Sequence, residues 1–460
     1  MYALRRGLWR TDDNCRRWRD GHTDTRGCRT MAIKIAIIGG GSAYAPGLIN
    51  AFIQHADSFA GAELALMDIA APELAIVHQL GQRMVESAGV DLHITRHDDQ
   101  QSAIQSADYV LTTFRQGGFP ARAQDELIPL KHGVIGQETI GAGGFFFAMR
   151  TLPVIRRILD DIRQFAPDAV LVNYTNPTQI VAEAVTRFSD IPCISICDQS
   201  NDDQHKIIDA LGFTPESFVL ESVGLNHATW SVRFTIDGED GIEVMNRHYP
   251  AVMARPDVSA RVKRQFRLAR EFNRLPNSYM QYYYYREETV REAQAAPRSR
   301  GQAIMDDLPG YYHHFQEQIE AEPPRLTHVR GGSIFGDMAV DVLRGLVTRS
   351  ASIHTLNVPN RSALPDFAPE RIVEVPARLE ADGATPLVQP ALPSDVVGLL
   401  HMLAEYQRCA ADAIWEGDRR DLVRALAANP LIVSLSLAES LLDEIIALQA
   451  DYLAPRFVTG

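Results

Sequence analysis

Residues Lys34–Ser42 read KIAIIGGGS, and the fold turns on how they are read. A short run dominated by Ile and Ala suits a parallel strand buried on both faces. Three glycines and a serine then form a tight turn, and SAYAPGLINAFIQHA continues as a helix. Strand, glycine turn and helix in that order are the opening of a dinucleotide-binding unit. Glycines there let the backbone approach a pyrophosphate, and the helix N-terminus offers free N–H groups to it.

The pattern repeats outward from this unit. ELALMDI is a second strand, ending at Asp68, followed by an amphipathic stretch, PELAIVHQLGQRMVESAG. DLHITRH, a helix near Gln100–Gln105, DYVLTTF, AVLVNYTN, another helix and CISICD complete the alternation. This order predicts an α/β protein with a Rossmann-like, doubly wound parallel sheet over residues 31–220. After Glu221 the character changes. SVRFTIDGEDGIEV predicts an antiparallel hairpin turning at Asp237–Gly241. Charged helices are expected over Ser259–Gln294, strands and loops over the Pro-rich Asn357–Pro393, and helices from Ser394. Residues 221–460 are therefore read as a C-terminal α+β domain for substrate, metal and oligomerisation.

Composition narrows the partners. A net charge of −13 argues against nucleic acid, because phosphate backbones attract basic surfaces. No apolar run is long enough to span a membrane. Five cysteines are few for 460 residues and odd in number, which fits a reducing cytoplasm and no disulfide framework. The first thirty residues carry eight arginines and no apolar run suited to a signal peptide. They are expected to be a disordered tail upstream of the natural start at MAIKIAIIGGGS.

Candidate site residues lie at strand ends, where ligands of open α/β sheets bind. Gly39, Gly41 and Ser42 would hold the pyrophosphate, although Tyr44 stands where the fingerprint expects its third glycine. Asp68 would bind the ribose hydroxyls, and an acid there favours NAD over NADP. Further on come Asn176 in NYTNPTQIV, Cys197 and Asp198 in SICDQS, and His227 in GLNHATW. A Cys and a His can share a divalent ion with positions left open for substrate. Taken singly, a Cys is a small buried hydrophobe and a His a satisfied structural residue. Their spacing of thirty residues matches no short metal motif, so spacing alone leaves both readings open.

The strings GGGSAYAPGL, FRQGGFPARAQDELIPLKHGVIGQETIGAGG, NYTNPTQIV, CD, GLNHATW, SYMQYYY, RGGS and VEVPA occur in this order. In them the chain resembles glycoside hydrolase family 4, the NAD- and metal-dependent glycosidases, over everything from Ala32 onward. The resemblance implies a dehydrogenase-like fold of the lactate and malate type, with NAD and Mn²⁺ or another divalent ion as cofactors. It also implies a small-molecule glycoside as substrate, 6-phosphorylated in the phosphoglucosidases, and a homodimer or homotetramer. The implied reaction is oxidation at C3, removal of the C2 proton, elimination of the aglycone, addition of water and re-reduction. This family is an exception to the paired-carboxylate glycosidases.

Carried over by motif, Cys197 and His227 match the metal ligands, Tyr279 the base and Asp198 an acid of the α-acting members. Asn176 matches a residue bonded to substrate hydroxyls. Arg115, Arg122, Gln137, Glu138 and Arg330 lie in shared motifs, and each serves equally to hold the sugar, to hold an anion on C6, or as a structural salt bridge. The chain departs from the pattern after the cysteine. Its CDQS is neither the CDMP of the phospho-α-glucosidases nor the Cys-Asn of the phospho-β group. Asp198 leans towards α, whereas GQET and NPTQIV lean towards β. A galactoside, glucuronide or sulfonated sugar, or a simple hydroxyacid dehydrogenation, are the alternatives.

Overall fold

In the computed structural model, which describes residues 33–331, 336–381 and 383–458, the nucleotide half has the strand order its sequence implies. The proposed tail, residues 1–30, lies outside the described residues. Strands β1 (Lys34–Ile38), β2 (Ala62–Met67), β3 (Leu92–His97), β4 (Tyr109–Thr112), β5 (Val170–Asn173) and β6 (Cys193–Ser195) are all parallel. They lie side by side in the order β3-β2-β1-β4-β5-β6. The direction of winding reverses between β1 and β4, which opens a crevice at the carboxyl ends of those strands.

The sheet continues without a break. Strands β7 (Phe218–Leu225), β8 (Ala228–Ile236), β9 (Glu239–Asp240), β10 (Ile353–Pro359), β11 (Ile372–Glu380) and β12 (Gly383–Pro386) extend it. Beyond β6 the order is β10-β11-β7-β8-β9, with β12 paired to β11. Thus β6 and β7, consecutive in the chain, are separated by two strands that come much later. The joints are narrow. Asn357 pairs with Ser195 between β10 and β6, and Glu374 with Gly224 between β11 and β7.

Helices cover both faces. On one, the helix Gly141–Phe165 buries Phe145, Phe146, Met149 and Leu152 against Ile180 and Val181. Tyr406, Ala410 and Ile414 of the helix Ser394–Trp415 complete that core. On the other face Leu48, Ile49 and Phe52 of the helix Ala45–Gln54 meet Leu343 and Leu346. Among the described residues, no helix is long and apolar enough to cross a membrane.

The expected hairpin over SVRFTIDGEDGIEV is only partly present. β9 is two residues long, and the GIEV segment opens a helix, Gly241–Ala254. The cause is local. The Asp240 carboxylate accepts the amides of Ile242 and Glu243 at 2.9 and 3.0 Å, an N-cap that ends the strand.

One buried acid gives the fold a pH dependence. Glu183 is 1% exposed and accepts the Ile372 amide at 3.1 Å. Burial pushes its carboxyl up to about 7, against the opposing pull of that amide and Arg371. The folded value lies above the unfolded one, so this group's stabilising contribution is complete below the unfolded value and lost as pH rises through about 7. Glu183→Gln should therefore exceed the parent in stability by on the order of 3 kcal/mol at pH 8. At pH 5 the gap should shrink to under about 1 kcal/mol. Urea midpoints at the two pH values read this directly, and equal midpoints at pH 8 would remove the assignment.

Candidate active site

The turn after β1 is packed from all sides. Gly39 has φ +103°, and a Cβ there would lie 2.6 Å from the Thr113 carbonyl oxygen, so only glycine fits. Its amide and that of Gly40 both donate to the Met67 carbonyl. Asp68 follows β2, and its two oxygens accept from Gly41 N and Ala70 N at 3.0 Å each. Burial raises its pKa, while these amides oppose the rise. A carboxylate retains further acceptor capacity for ribose hydroxyls. Ser42 accepts from Tyr44 N, and no side chain caps the helix that follows. In its first turn Ala45 N donates to the Ser42 carbonyl and Pro46 has no N–H, which leaves Gly47 N as the amide to offer a pyrophosphate. These residues fit a dinucleotide.

The second cluster is built on the loop Ile135–Ile140. Gly136 lets this loop lie against the helix Gly118–Lys131, since a Cβ there would sit 1.5 Å from the Glu126 carbonyl oxygen. Gln137 Oε1 accepts the amides of Thr139 and Ile140 and the Thr139 hydroxyl. That fixes the amide orientation and turns Gln137 Nε2 to the Tyr279 hydroxyl at 3.3 Å. The Thr139 hydroxyl has one proton and gives it to Gln137, so it accepts from His227 Nδ1 at 3.2 Å. His227 Nε2 is then left with a lone pair, 3.4 Å from Cys197 Sγ. His227 occupies the turn between β7 and β8 at φ +62°, a region that side chains other than glycine seldom enter.

Burial keeps this imidazole neutral, lowering its pKa to about 3, and neutral imidazole is the form that binds metal. Burial likewise pushes the Cys197 thiol up to about 12, so a cation is needed to draw out its thiolate. Two donors of one ion, at about 2.3 Å for sulfur and about 2.1 Å for nitrogen, stand at such a separation. No group of three or more His, Cys, Asp or Glu forms a metal cluster among the described residues. The pair therefore fits a divalent ion with open positions. Beside it, Asp198 Oδ1 is buried without a hydrogen-bond partner, and burial with Asp337 and Asp202 nearby pushes its carboxyl up to about 7.

Tyr279 lies in the short turn Ser278–Met280, its ring stacked on His227 at 4.1 Å and 13°. The Arg261 guanidinium sits 4.8 Å from the centre of the Tyr279 ring and bonds Ser278 Oγ at 2.7 Å. Asp203, on the helix after Cys197, accepts both Ser278 N and Ser278 Oγ. Tyr279 and the Cys197–His227 pair are thereby held to one another. Asn176, past the end of β5, accepts from Thr178 N and Oγ1, which leaves its Nδ2 to donate elsewhere.

Glu138 points into a third cluster. Arg115 and Arg122 both pair with it, Arg122 at 2.9 Å. Arg122 also pairs with Glu126 at 2.8 Å. Arg330 lies over the rings of Tyr44 and Phe119, at 4.1 and 4.4 Å. Burial lowers its pKa to about 10. The three arginines face two carboxylates, an excess of one positive charge.

Sequence motifs single out Cys197, His227 and Tyr279, but not Thr139, Arg261 and Asp203, which contact or anchor them, nor Glu374, which bonds Asn226 and Ser200 beside them. Thr139 lies inside GQETI and Glu374 inside VEVPA, so motif membership was the signal available. Asp203 and Arg261 had none.

Comparison with known proteins identifies the family. Residues 34–213 match the family 4 glycosyl hydrolases, and residues 222–432 match the C-terminal domain of that family. A probable 6-phospho-beta-glucosidase of Bacillus subtilis (strain 168) is 34% identical over 441 residues, covering 93% of this chain and 98% of the relative. A 6-phospho-alpha-glucosidase from gut microorganisms, solved with NAD and Mn²⁺, superposes with a TM-score of 0.83 at 25% identity, covering 92% and 99% of the two chains. The Thermotoga maritima 6-phospho-beta glucosidase, solved with NAD and glucose-6-phosphate, gives 0.80 at 26%, with the same coverage. This chain belongs to the family 4 glycosyl hydrolases.

Proposed function

We propose that this protein is an NAD- and divalent-metal-dependent glycosidase of 6-phosphorylated glucosides. The observation that carries the reading is the gathering of His227 and Tyr279 by one loop, with Cys197 against His227, at the carboxyl edge of a dinucleotide-binding sheet. Bound there, the dinucleotide would supply a reversible acceptor for the hydrogen on C3, and the divalent ion an electrophile for the sugar's O2 and O3.

The protein's own groups do the rest. Cys197 Sγ and His227 Nε2 hold the ion, with Thr139 fixing the imidazole tautomer. Tyr279 Oη takes the C2 proton, and Gln137 Nε2 donates to that oxygen and stabilises its negative charge. Asp198, carrying a proton for part of the time near neutral pH, gives it to the departing glycosidic oxygen. Asn176 Nδ2 donates to a sugar hydroxyl. Arg115 and Arg330 take the C6 phosphate, an assignment supported by the surplus positive charge around Glu138. The β-glucoside is the first substrate to try, because the Bacillus subtilis relative carries that name. A cytoplasmic setting is supported by three free cysteines among the described residues. A homodimer or homotetramer is part of the same reading.

The test is hydrolysis of nitrophenyl 6-phospho-α- and 6-phospho-β-glucosides by metal-stripped protein, with and without NAD⁺ and Mn²⁺. Cleavage of one anomer only when both additions are present is expected. Cleavage without either would sink the mechanism, and inertness towards both anomers would sink the substrate class.

A further inference from the structure

Glu374 lies on β11 beneath the Cys197–His227 pair and is 3% exposed. Its Oε2 accepts from Asn226 Nδ2 at 2.7 Å and Asn357 Nδ2 at 3.0 Å. Its Oε1 accepts from Ser200 Oγ at 3.2 Å. Each donor belongs to an element that carries a metal ligand or lies beside one. Asn226 immediately precedes His227, Ser200 opens the helix after Cys197, and Asn357 pairs with Ser195 at the end of β6. A second tie runs the same way: Asn226 N donates to Gln179 Oε1 at 3.2 Å, and Gln179 Nε2 to the Ile372 carbonyl at 2.6 Å.

We propose that Glu374 is the positioning residue that sets the separation and orientation of Cys197 and His227 as a divalent-cation pair. The inference rests on the cation reading given under the proposed function. The sheet makes such a residue necessary. With β10 and β11 between them, β6 and β7 run about 14 Å apart at ordinary strand spacing. Yet Cys197 Sγ and His227 Nε2 stand 3.4 Å apart. The two segments must leave their strands to meet across β10 and β11, and Glu374 receives one hydrogen bond from each of them. Its oxygens only accept, as an ionised carboxylate does. No ion-pair partner for it is found among the described residues. Burial makes a carboxylate among neutral donors costly to keep ionised, and a divalent cation at Cys197 and His227 would offset that cost.

The experiment titrates Mn²⁺ alone into the full chain and follows the electron paramagnetic resonance signal of the free ion. NAD⁺ affinity and the melting temperature are measured on the same samples. Glu374→Gln can keep one oxygen on the two asparagine amides but removes the negative charge and turns an amide donor towards Ser200 Oγ. It is expected to weaken Mn²⁺ binding about 10–100-fold, the usual cost of losing an outer-shell partner. NAD⁺ affinity should stay within about twofold of the parent, since the nucleotide turn lies elsewhere. Should that variant fail to fold, Ser200→Ala removes one of the three hydrogen bonds and should cost about two- to tenfold in Mn²⁺ affinity. Parent-like Mn²⁺ binding in either folded variant, with Cys197→Ser still weakened, would overturn this inference alone. Parent-like binding in Cys197→Ser as well would overturn the cation pair itself. Equal losses of Mn²⁺ and NAD⁺ affinity would mark a structural role and also overturn it.

Discussion

Tyr279→Phe is expected to lower kcat by about 10²–10⁴-fold, the contribution of a positioned general base. NAD⁺ affinity and the melting temperature should stay those of the parent. The ring is 9% exposed and stacks on His227, and phenylalanine preserves both features. What disappears is the hydroxyl that Gln137 Nε2 approaches at 3.3 Å. Burial raises the phenol's pKa, with Tyr282, Glu138 and Cys197 adding to the rise and the Arg261 guanidinium over the ring opposing it. A phenol raised in this way acts as a base only with cationic help, so the effect should be confined to the metal-loaded enzyme. Exchange of the substrate's C2 hydrogen with solvent deuterium isolates the step. Parent-like exchange in the phenylalanine variant would return Tyr279 to a packing role, alongside Tyr282 and Tyr283.

The second large effect is on stability. Arg150 and Asp125 are both fully buried. The guanidinium meets both carboxylate oxygens, at 2.8 and 2.6 Å, and also the Gln116 carbonyl at 3.1 Å and the Gln449 side chain. Arg150→Met leaves Asp125 buried without its cation, and desolvating or protonating it should cost about 3–5 kcal/mol in urea unfolding. Removing the acid as well, in Asp125→Leu/Arg150→Met, should restore much of that loss, because the desolvated charge is gone. A single substitution costing under about 1 kcal/mol would show that the pair holds little. Gln116 follows Arg115, so the single variant should also loosen the turn that presents Arg115 to its anion.

The nucleotide half was legible because its signals are local. KIAIIGGGS, ELALMDI and DYVLTTF each show their element within a few residues, and the alternation then dictates a parallel sheet. The extension beyond β6 was not legible. Periodicity identifies a strand but not its neighbours, and nothing in NVP or VEV says that β10 and β11 slot between β6 and β7. The failed hairpin shows the same limit at short range. Asp240 could end a turn or cap a helix, and the competition was settled by the two amides it caps. At the site, residues with reactive side chains could be named from motifs. The groups that orient them, Thr139 and Arg261 among them, act through contacts between distant segments and leave no trace in spacing.

The order of synthesis gives one of those distant contacts a consequence. Glu374 is 174 residues from Ser200 and 148 from Asn226. A chain growing from the ribosome can complete the nucleotide-binding strands early, from neighbours close in sequence. Its catalytic centre must wait until β10 and β11 have been made. Until then β6 and β7 present open edges, the surface on which nascent chains pair wrongly with one another. The site is therefore assembled late in synthesis, and any fragment ending before Glu374 would lack the carboxylate that ties Ser200, Asn226 and Asn357 together.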